Sequence, residues 1–491
     1  MNRSIRTFGV VMMLLFVALV AQLANLQVVD AKHLNHDPLN TRQVVADFSK
    51  PRGAIQTADG VVVAQSVASG DIYKFQRQYP KGPLYAFTTG FLSFRYGATG
   101  VEAQYGSALA GRGLPNTGGL RGLLAPSNRT ANVTLTLNDF LQQAAAFALG
   151  ARVGAVVALD PRDGSILALV SQPSYDPNEL ASHNGTAEST AFNGLNADPL
   201  APMLPRVYRE SYAPGSTFKT ITASAVFDHD PALATTTYPT LNALSLPQTV
   251  NKLHNFGGES CGGQLPTLFT ISCDTGFGQI GLDLGAQSLA AEAQAFGFNQ
   301  VPPLDLPGVF KSTFPPAAFF DQQKPLIAFS AIGQDDVSAT PLQMALVAAA
   351  IANNGVIMVP HVMKEIRDSD GNLVTSWNPK PWLVATSPTT AAQIKAFMVS
   401  VVQQGTGTAV RLPGVQVAAK TGTAEVTATR TNAWMIAFAP ADNPVIAIAV
   451  VLPGLTGVGN EVTGGVRAAP IVRGVISTWL QHLSATAAAH A

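Results

Sequence analysis

Charge and cysteine are both scarce in this chain. Only 12% of its 491 residues are Asp, Glu, Lys or Arg, and 30 basic residues balance 30 acidic ones to a formal net charge of zero. Without a basic surplus nothing points to nucleic acid as a partner, and without an acidic run nothing points to a disordered tail. Two cysteines with no histidine at ligand spacing do not make a tetrahedral zinc site. No glycine-rich phosphate loop and no internal repeat is present. Eight histidines occur, none in a recognisable nucleophile elbow, which argues against a Ser-His-Asp hydrolase.

Long apolar runs are missing everywhere but the N-terminus. Mean hydropathy is +0.21, yet downstream runs are short and broken by Gly or Pro, and Val445 to Leu452 reads as a buried strand. Arg3 and Arg6 precede an unbroken apolar run from Phe8 to Ala21, which continues less purely to Val29. We read residues 1–30 as a cytoplasmic stub and an uncleaved membrane anchor. A cleaved signal peptide is the alternative, although no A-x-A pattern ends the run. Either way the arginines stay inside and the rest of the chain is exported. In an oxidising compartment Cys261 and Cys273, twelve positions apart, are first expected to pair. Closing that loop stabilises by roughly 3 kcal/mol. Free buried thiols are the alternative.

Beyond the anchor, His33 to Ser49 reads as a polar linker. A glycine-rich, irregular module follows to about Asn128, then a strand at Ala131 to Leu137 and an alanine-rich helix capped by Asn138. Gly154 to Asp160 and Ser165 to Val170 flank the turn Pro161-Arg162-Asp163-Gly164 as a hairpin. Helices are expected at Thr217 to Phe227, Asp274 to Leu284, Ser288 to Phe296 and Leu342 to Asn353. Strands return at Gln416 to Thr421, Thr431 to Phe438 and Ile446 to Leu452, ahead of a last helix from Pro470 to Leu483. Strands at both ends with helices between give an α+β fold, an antiparallel sheet covered by helices. The divisions are 31–149 for a small non-catalytic module, 150–485 for the main domain and 486–491 for a frayed tail.

The chemistry is concentrated in two short motifs. Ser216-Thr217-Phe218-Lys219 follows Pro214-Gly215, so Ser216 opens a helix and Lys219 lies one turn above it on the same face. A desolvated lysine loses its proton more readily and its neutral amine can deprotonate the serine. Far downstream, Lys420-Thr421-Gly422-Thr423 supplies a cation, two hydroxyls and a close-approach glycine, which suits an anionic acyl substrate. Alone, each motif also fits an exposed helix or a strand edge. Their joint occurrence in this order points to serine acyl transfer.

With Ser272-Cys273-Asp274 between them, these motifs resemble the S-x-x-K, S-D-N and K-T-G set of penicillin-binding proteins and class A β-lactamases. The likeness extends through Gly154 to Pro161, Ile332-Gly333-Gln334, Thr340 to Met344, Ala433-Trp434 and Phe438-Ala439-Pro440, and covers residues 150 to 485. Arg52-Gly53 and Gly100-Val101-Glu102 are similar to landmarks of the pedestal domain of class B, monofunctional penicillin-binding proteins. The space between anchor and main domain is too short for a glycosyltransferase domain. The likeness is strongest to actinobacterial cell-division members.

The resemblance implies a peptidoglycan D,D-transpeptidase that needs no cofactor and no metal. Ser216 would attack the penultimate D-Ala carbonyl of a stem peptide and Lys219 would take its proton. The backbone N–H groups of Ser216 and Thr423 would hold the oxyanion. Lys420 and Ser272 would pass a proton to the departing D-Ala, while Thr421 and Thr423, with Gly422 between them, hold its carboxylate. Implied partners are stem peptides on a lipid-linked precursor, β-lactams as covalent inhibitors, the membrane, and a glycosyltransferase or division protein. Within the fold, a D,D-carboxypeptidase, a β-lactamase-like hydrolase and a β-lactam-binding sensor or division scaffold are alternatives. One residue departs from the pattern, because Asp274 stands where Asn is expected. An ionised Asp cannot donate a hydrogen bond, and beside Lys219 it favours the ammonium form. Its bland alternative is a cap on the following helix.

Overall fold

The computed structural model describes residues 3–25, 48–112, 130–427, 429–457 and 459–490. Most of the expected linker at 33–49 and the glycine-rich stretch from Gly113 to about Asn128 lie outside them. Helix α1, Arg3–Ala24, buries none of its residues. It is the one helix among the described residues long and apolar enough to cross a membrane.

Strands β1 (Ile55–Gln56), β2 (Val62–Ala68), β3 (Phe75–Gln78) and β4 (Ala131–Leu135) begin a first sheet. Helix α2, Asp139–Leu149, starts where the Asn138 side chain accepts from Leu141 N. Strands β5 (Gly154–Leu159) and β6 (Ile166–Gln172) form the expected hairpin. Helices α3 (Lys219–His229), α4 (Leu265–Ile271), α5 (Asp274–Ala295) and α6 (Pro341–Ala352) follow, with α5 broken at Gly285. Strands β7 (Met363–Asp368) and β8 (Leu373–Ser376) precede α7, Pro388–Gln404. Strands β9 (Ala418–Thr427), β10 (Arg430–Ala439) and β11 (Ile446–Thr456) lead into α8, Ala469–His490.

The main sheet runs β9-β10-β11-β5-β6 and every pairing in it is antiparallel. Its two faces are both covered. Ala155, Val157 and Leu159 face a core shared with α6, whose twelve residues are all buried. Val156 and Ala158 face the opposite core, built with Leu141, Ala145 and Leu149 of α2 and with Ile471, Val472 and Val475 of α8. A sheet covered on both sides needs apolar residues at consecutive positions, which is why its strands read as unbroken apolar runs.

Two boundaries differ from the sequence reading. Helix α2, assigned to the small module, packs on the back of the main sheet. Conversely, β7 and β8, assigned to the main domain, complete the small module's sheet in the order β8-β7-β4-β1-β2-β3. The edge of β4 is paired by a segment more than two hundred residues away, and no local pattern announces such pairing. The tail differs as well: α8 continues to His490, in keeping with the helix propensity of its alanines. In the small module, Arg52 Nε and Arg77 Nε donate to the two oxygens of Glu102 at 2.6 and 2.5 Å. Burial opposes ionisation of Glu102, but the two guanidiniums outweigh it and hold its pKa below the usual value.

Candidate active site

Ser216 sits in a 3-10 turn, Gly215–Phe218, that runs directly into α3. Such a turn aligns residues three apart, so Ser216 and Lys219 keep the expected same-side relation. Gly215 has φ of 53° and donates to Gly333 O at 2.9 Å. Thr217 Oγ1 donates to Pro214 O at 2.7 Å, closing the turn. From β10, Trp434 Nε1 donates to Ala213 O at 2.9 Å and so ties the turn to the sheet. We expect Trp434→Phe to lose about 1 kcal/mol of stability through this one bond. A lower urea midpoint would register it.

Lys219 is completely buried. Its Nζ donates to Asp274 Oδ1 at 2.7 Å and to the carbonyl of Ser272 at 2.7 Å, with Ser272 Oγ at 3.4 Å. Burial lowers its pKa, and it does so against the Asp274 carboxylate, which acts to raise it. Ser216 Oγ has no hydrogen bond to Lys219; it faces Asp274 Oδ1 at a long 3.5 Å. The lysine therefore rests on the carboxylate rather than on the nucleophile, an arrangement that apo active sites often show before substrate draws the groups together.

Ser272 occupies the left-handed position that ends α4, with φ of 62°. This turn swings its hydroxyl between two lysines. Lys420 Nζ, from β9, donates to Ser272 Oγ at 2.8 Å and to Thr421 O at 3.1 Å. Lys420 is also fully buried. Burial first, and the neighbouring Lys219 charge second, push its pKa well below the ordinary lysine value, against the pull of Asp274. Both amines thus give up a proton more readily than an ordinary lysine, and an amine that has done so can accept one.

Asp274 does not cap its helix, because the N-cap residue is Cys273 and no side-chain cap bond forms. Its second oxygen, Oδ2, accepts from Phe256 N at 3.1 Å. An Asn could not serve both contacts, since its single oxygen would have to choose between Lys219 and Phe256. Cys273 and Cys261 are joined as a disulfide. The bridge fixes the residue between Ser272 and Asp274 to the strand Cys261–Gly263.

Strand β9 forms one edge of the main sheet, so among the described residues one side of its backbone is unpaired by strand. Lys420, Thr421, Gly422 and Thr423 lie opposite Ile436, Met435, Trp434 and Ala433 of β10. A Cβ at Gly422 would come within 2.7 Å of Pro214 O and 2.8 Å of Thr217 Cγ2. Glycine there lets the edge strand lie against the turn that carries Ser216. Strand alternation puts Thr421 and Thr423 on the same face, the one away from Lys420. Thr421 Oγ1 lies 2.6 Å from Thr406 Oγ1, and Thr423 Oγ1 accepts from Gly464 N at 3.4 Å. Ser216, Lys219, Ser272, Asp274 and Lys420 are therefore brought into one cluster, with the two threonines beside it on β9.

Known proteins can be set against this geometry. Residues 154–477 match the penicillin-binding protein transpeptidase domain. The chain belongs to that family. Residues 52–116 match the penicillin-binding protein A dimerisation domain. The peptidoglycan D,D-transpeptidase PbpA of Mycolicibacterium smegmatis is 39% identical over 98% of this chain and 99% of its own length. PbpA of Mycobacterium tuberculosis is likewise 39% identical, over 98% and 99%. The solved imipenem acyl-enzyme complex of M. tuberculosis penicillin-binding protein A superposes with a TM-score of 0.81. It is 36% identical and covers 89% of this chain and 100% of that one.

Sequence motifs of the transpeptidase family did not point to three contributors to the cluster. Phe256 supplies only a backbone N–H, held in place by Asn255, whose Oδ1 accepts from Thr275 N at 2.8 Å. Thr406 approaches β9 from a turn and Gly464 from the start of the short helix Gly464–Arg467. Their only signals were turn residues, Gly405-Thr406-Gly407 and Gly464-Gly465, and turn residues alone do not say what a loop touches.

Proposed function

We propose that this chain is a peptidoglycan D,D-transpeptidase working through an acyl-enzyme on Ser216. The observation that carries the reading is the continuous polar path from Lys219 through Ser272 to Lys420, laid beside Ser216 at the edge of an antiparallel sheet. Ser216 Oγ bonds to the penultimate D-Ala carbonyl carbon while Lys219 accepts its proton. The negative oxygen of the intermediate is met by the N–H groups of Ser216 and Thr423. The C–N bond then breaks, and the terminal D-Ala nitrogen takes a proton from Lys420 by way of Ser272. Thr421 and Thr423 hold the carboxylate of that residue. The donor peptide adds to the open edge of β9 as a further strand, which gives affinity through main-chain bonds. The amine of a second stem attacks the ester and gives up a proton to Lys420 by way of Ser272, the C–O bond breaks, Ser216 regains its proton from Lys219, and a cross-link is formed.

β-Lactams acylate the same serine in this scheme. Helix α1 anchors the chain in the membrane with the remainder outside, where lipid-linked precursor and a glycosyltransferase or division protein are met. We place residues 48–112, 130–136 and 363–376 in the pedestal, and 137–362 with 377–490 in the catalytic unit. The ion pair between Lys219 and Asp274 favours a second reading, a slow enzyme serving as a β-lactam sensor or division scaffold.

The detergent-solubilised chain, given a stem-peptide donor and an amine acceptor, should yield the cross-linked amide, and Ser216→Ala should yield none. Hydrolysed donor as the sole product would replace transpeptidase by carboxypeptidase. A stable β-lactam adduct without turnover of donor would support the sensor or scaffold instead.

A further inference from the structure

The turn after α7 carries a hydroxyl that no motif assigns. Gly405 N and Gly407 N both donate to Val401 O, at 3.1 and 3.0 Å, so the intervening Thr406 is held at both sides. A Cβ at Gly465 would lie 2.5 Å from Thr406 O, which brings the Gly464–Arg467 segment hard against the same residue. Thr406 itself is exposed, while its partner Thr421 is buried. Their hydroxyl oxygens are 2.6 Å apart, close for an O–H···O bond.

We propose that Thr406 is a positioning residue that sets the direction of the Thr421 hydroxyl toward the substrate carboxylate. The inference rests on the reading above that Thr421 holds that carboxylate. Counting protons fixes the direction. A threonine hydroxyl has one proton to give, and an ionised carboxylate can only accept. If Thr421 spends its proton on Thr406, it offers the carboxylate a lone pair and repels it. Only when Thr406 donates to Thr421 is the Thr421 proton free for the substrate, and the resulting chain of two hydrogen bonds polarises each member. The exposed side of Thr406 leaves its own acceptor positions to water, so donating inward costs it nothing in hydrogen bonding.

The test compares acylation of the solubilised full chain by penicillin G and by its methyl ester, which lacks the charge. Thr406→Val, of like shape but without the hydroxyl, should slow acylation by the acid roughly five- to tenfold, with the ester changed less than about twofold. Thr406→Ser should restore the acid to within about twofold of the parent. Equal slowing of acid and ester, or an unchanged rate with the acid, would overturn the proposal. Thr421→Val separates the two levels of inference. If it discriminates acid from ester while Thr406→Val does not, only the positioning role falls. If it fails to discriminate, the carboxylate subsite falls and the role of Thr406 with it.

Discussion

Lys219→Arg should reduce acylation of Ser216 by about 10²- to 10⁴-fold, the range for loss of a positioned general base. Arginine retains a cation for Asp274 and donors for the Ser272 carbonyl, so the contacts that hold the cluster together survive in kind. What it cannot do is give up its proton, since a guanidinium stays charged in proteins. Lys219→Met complements it by removing both charge and base. The parent's rate should rise with pH as Lys219 deprotonates, over a range below that of an ordinary lysine because burial lowers its pKa. Both variants should lose this rising limb. Stopped-flow acylation across pH measures it, with circular dichroism to verify folding; a parent-like rate in Lys219→Arg would remove Lys219 from the role of base.

The same sign governs stability. A lysine whose folded pKa lies below its unfolded one leaves the unfolded chain binding more protons over the interval between the two values. Stability then rises with pH across that interval. Lys219 and Lys420 both contribute in this direction.

Asp274→Asn should act in two opposite directions. Without the carboxylate, the influence that raises the Lys219 pKa disappears, so the rising limb moves to lower pH and acylation at neutral pH quickens by about tenfold or more. At the same time one amide oxygen cannot accept from both Lys219 and Phe256 N, so one of the two donors loses its partner. Losing one part-buried hydrogen bond costs about 1 kcal/mol, which a lowered urea midpoint should register. Faster chemistry in a less stable protein is the combined expectation. An unchanged or slower rate would mean that the carboxylate does not restrain Lys219.

These two residues also mark what a linear sequence can carry. Ser216, Lys219 and Lys420 were legible as candidates because each is presented locally, by a turn, a helix and a strand. Ser272-Cys273-Asp274 was legible as a departure from pattern, with its consequence for Lys219 readable from charge alone. The reason for the departure was not, because it lies in a backbone N–H eighteen residues earlier, brought close only by folding. Thr406 was missed for the same cause, fifteen residues from Thr421 and across a loop. The antiparallel sheet and its helices followed from periodicity, but the exchange of β7 and β8 into the pedestal sheet did not. Strand partners are chosen by complementary edges and buried faces, neither of which is written in the strand itself.

The central claim is that Ser216 is the residue acylated. Peptide mapping by mass spectrometry after incubation with penicillin G tests it most directly. The adduct mass is predicted on the peptide that contains Ser216, and no adduct is predicted in Ser216→Ala. Modification of a different peptide, or an adduct that persists in folded Ser216→Ala, would contradict the account.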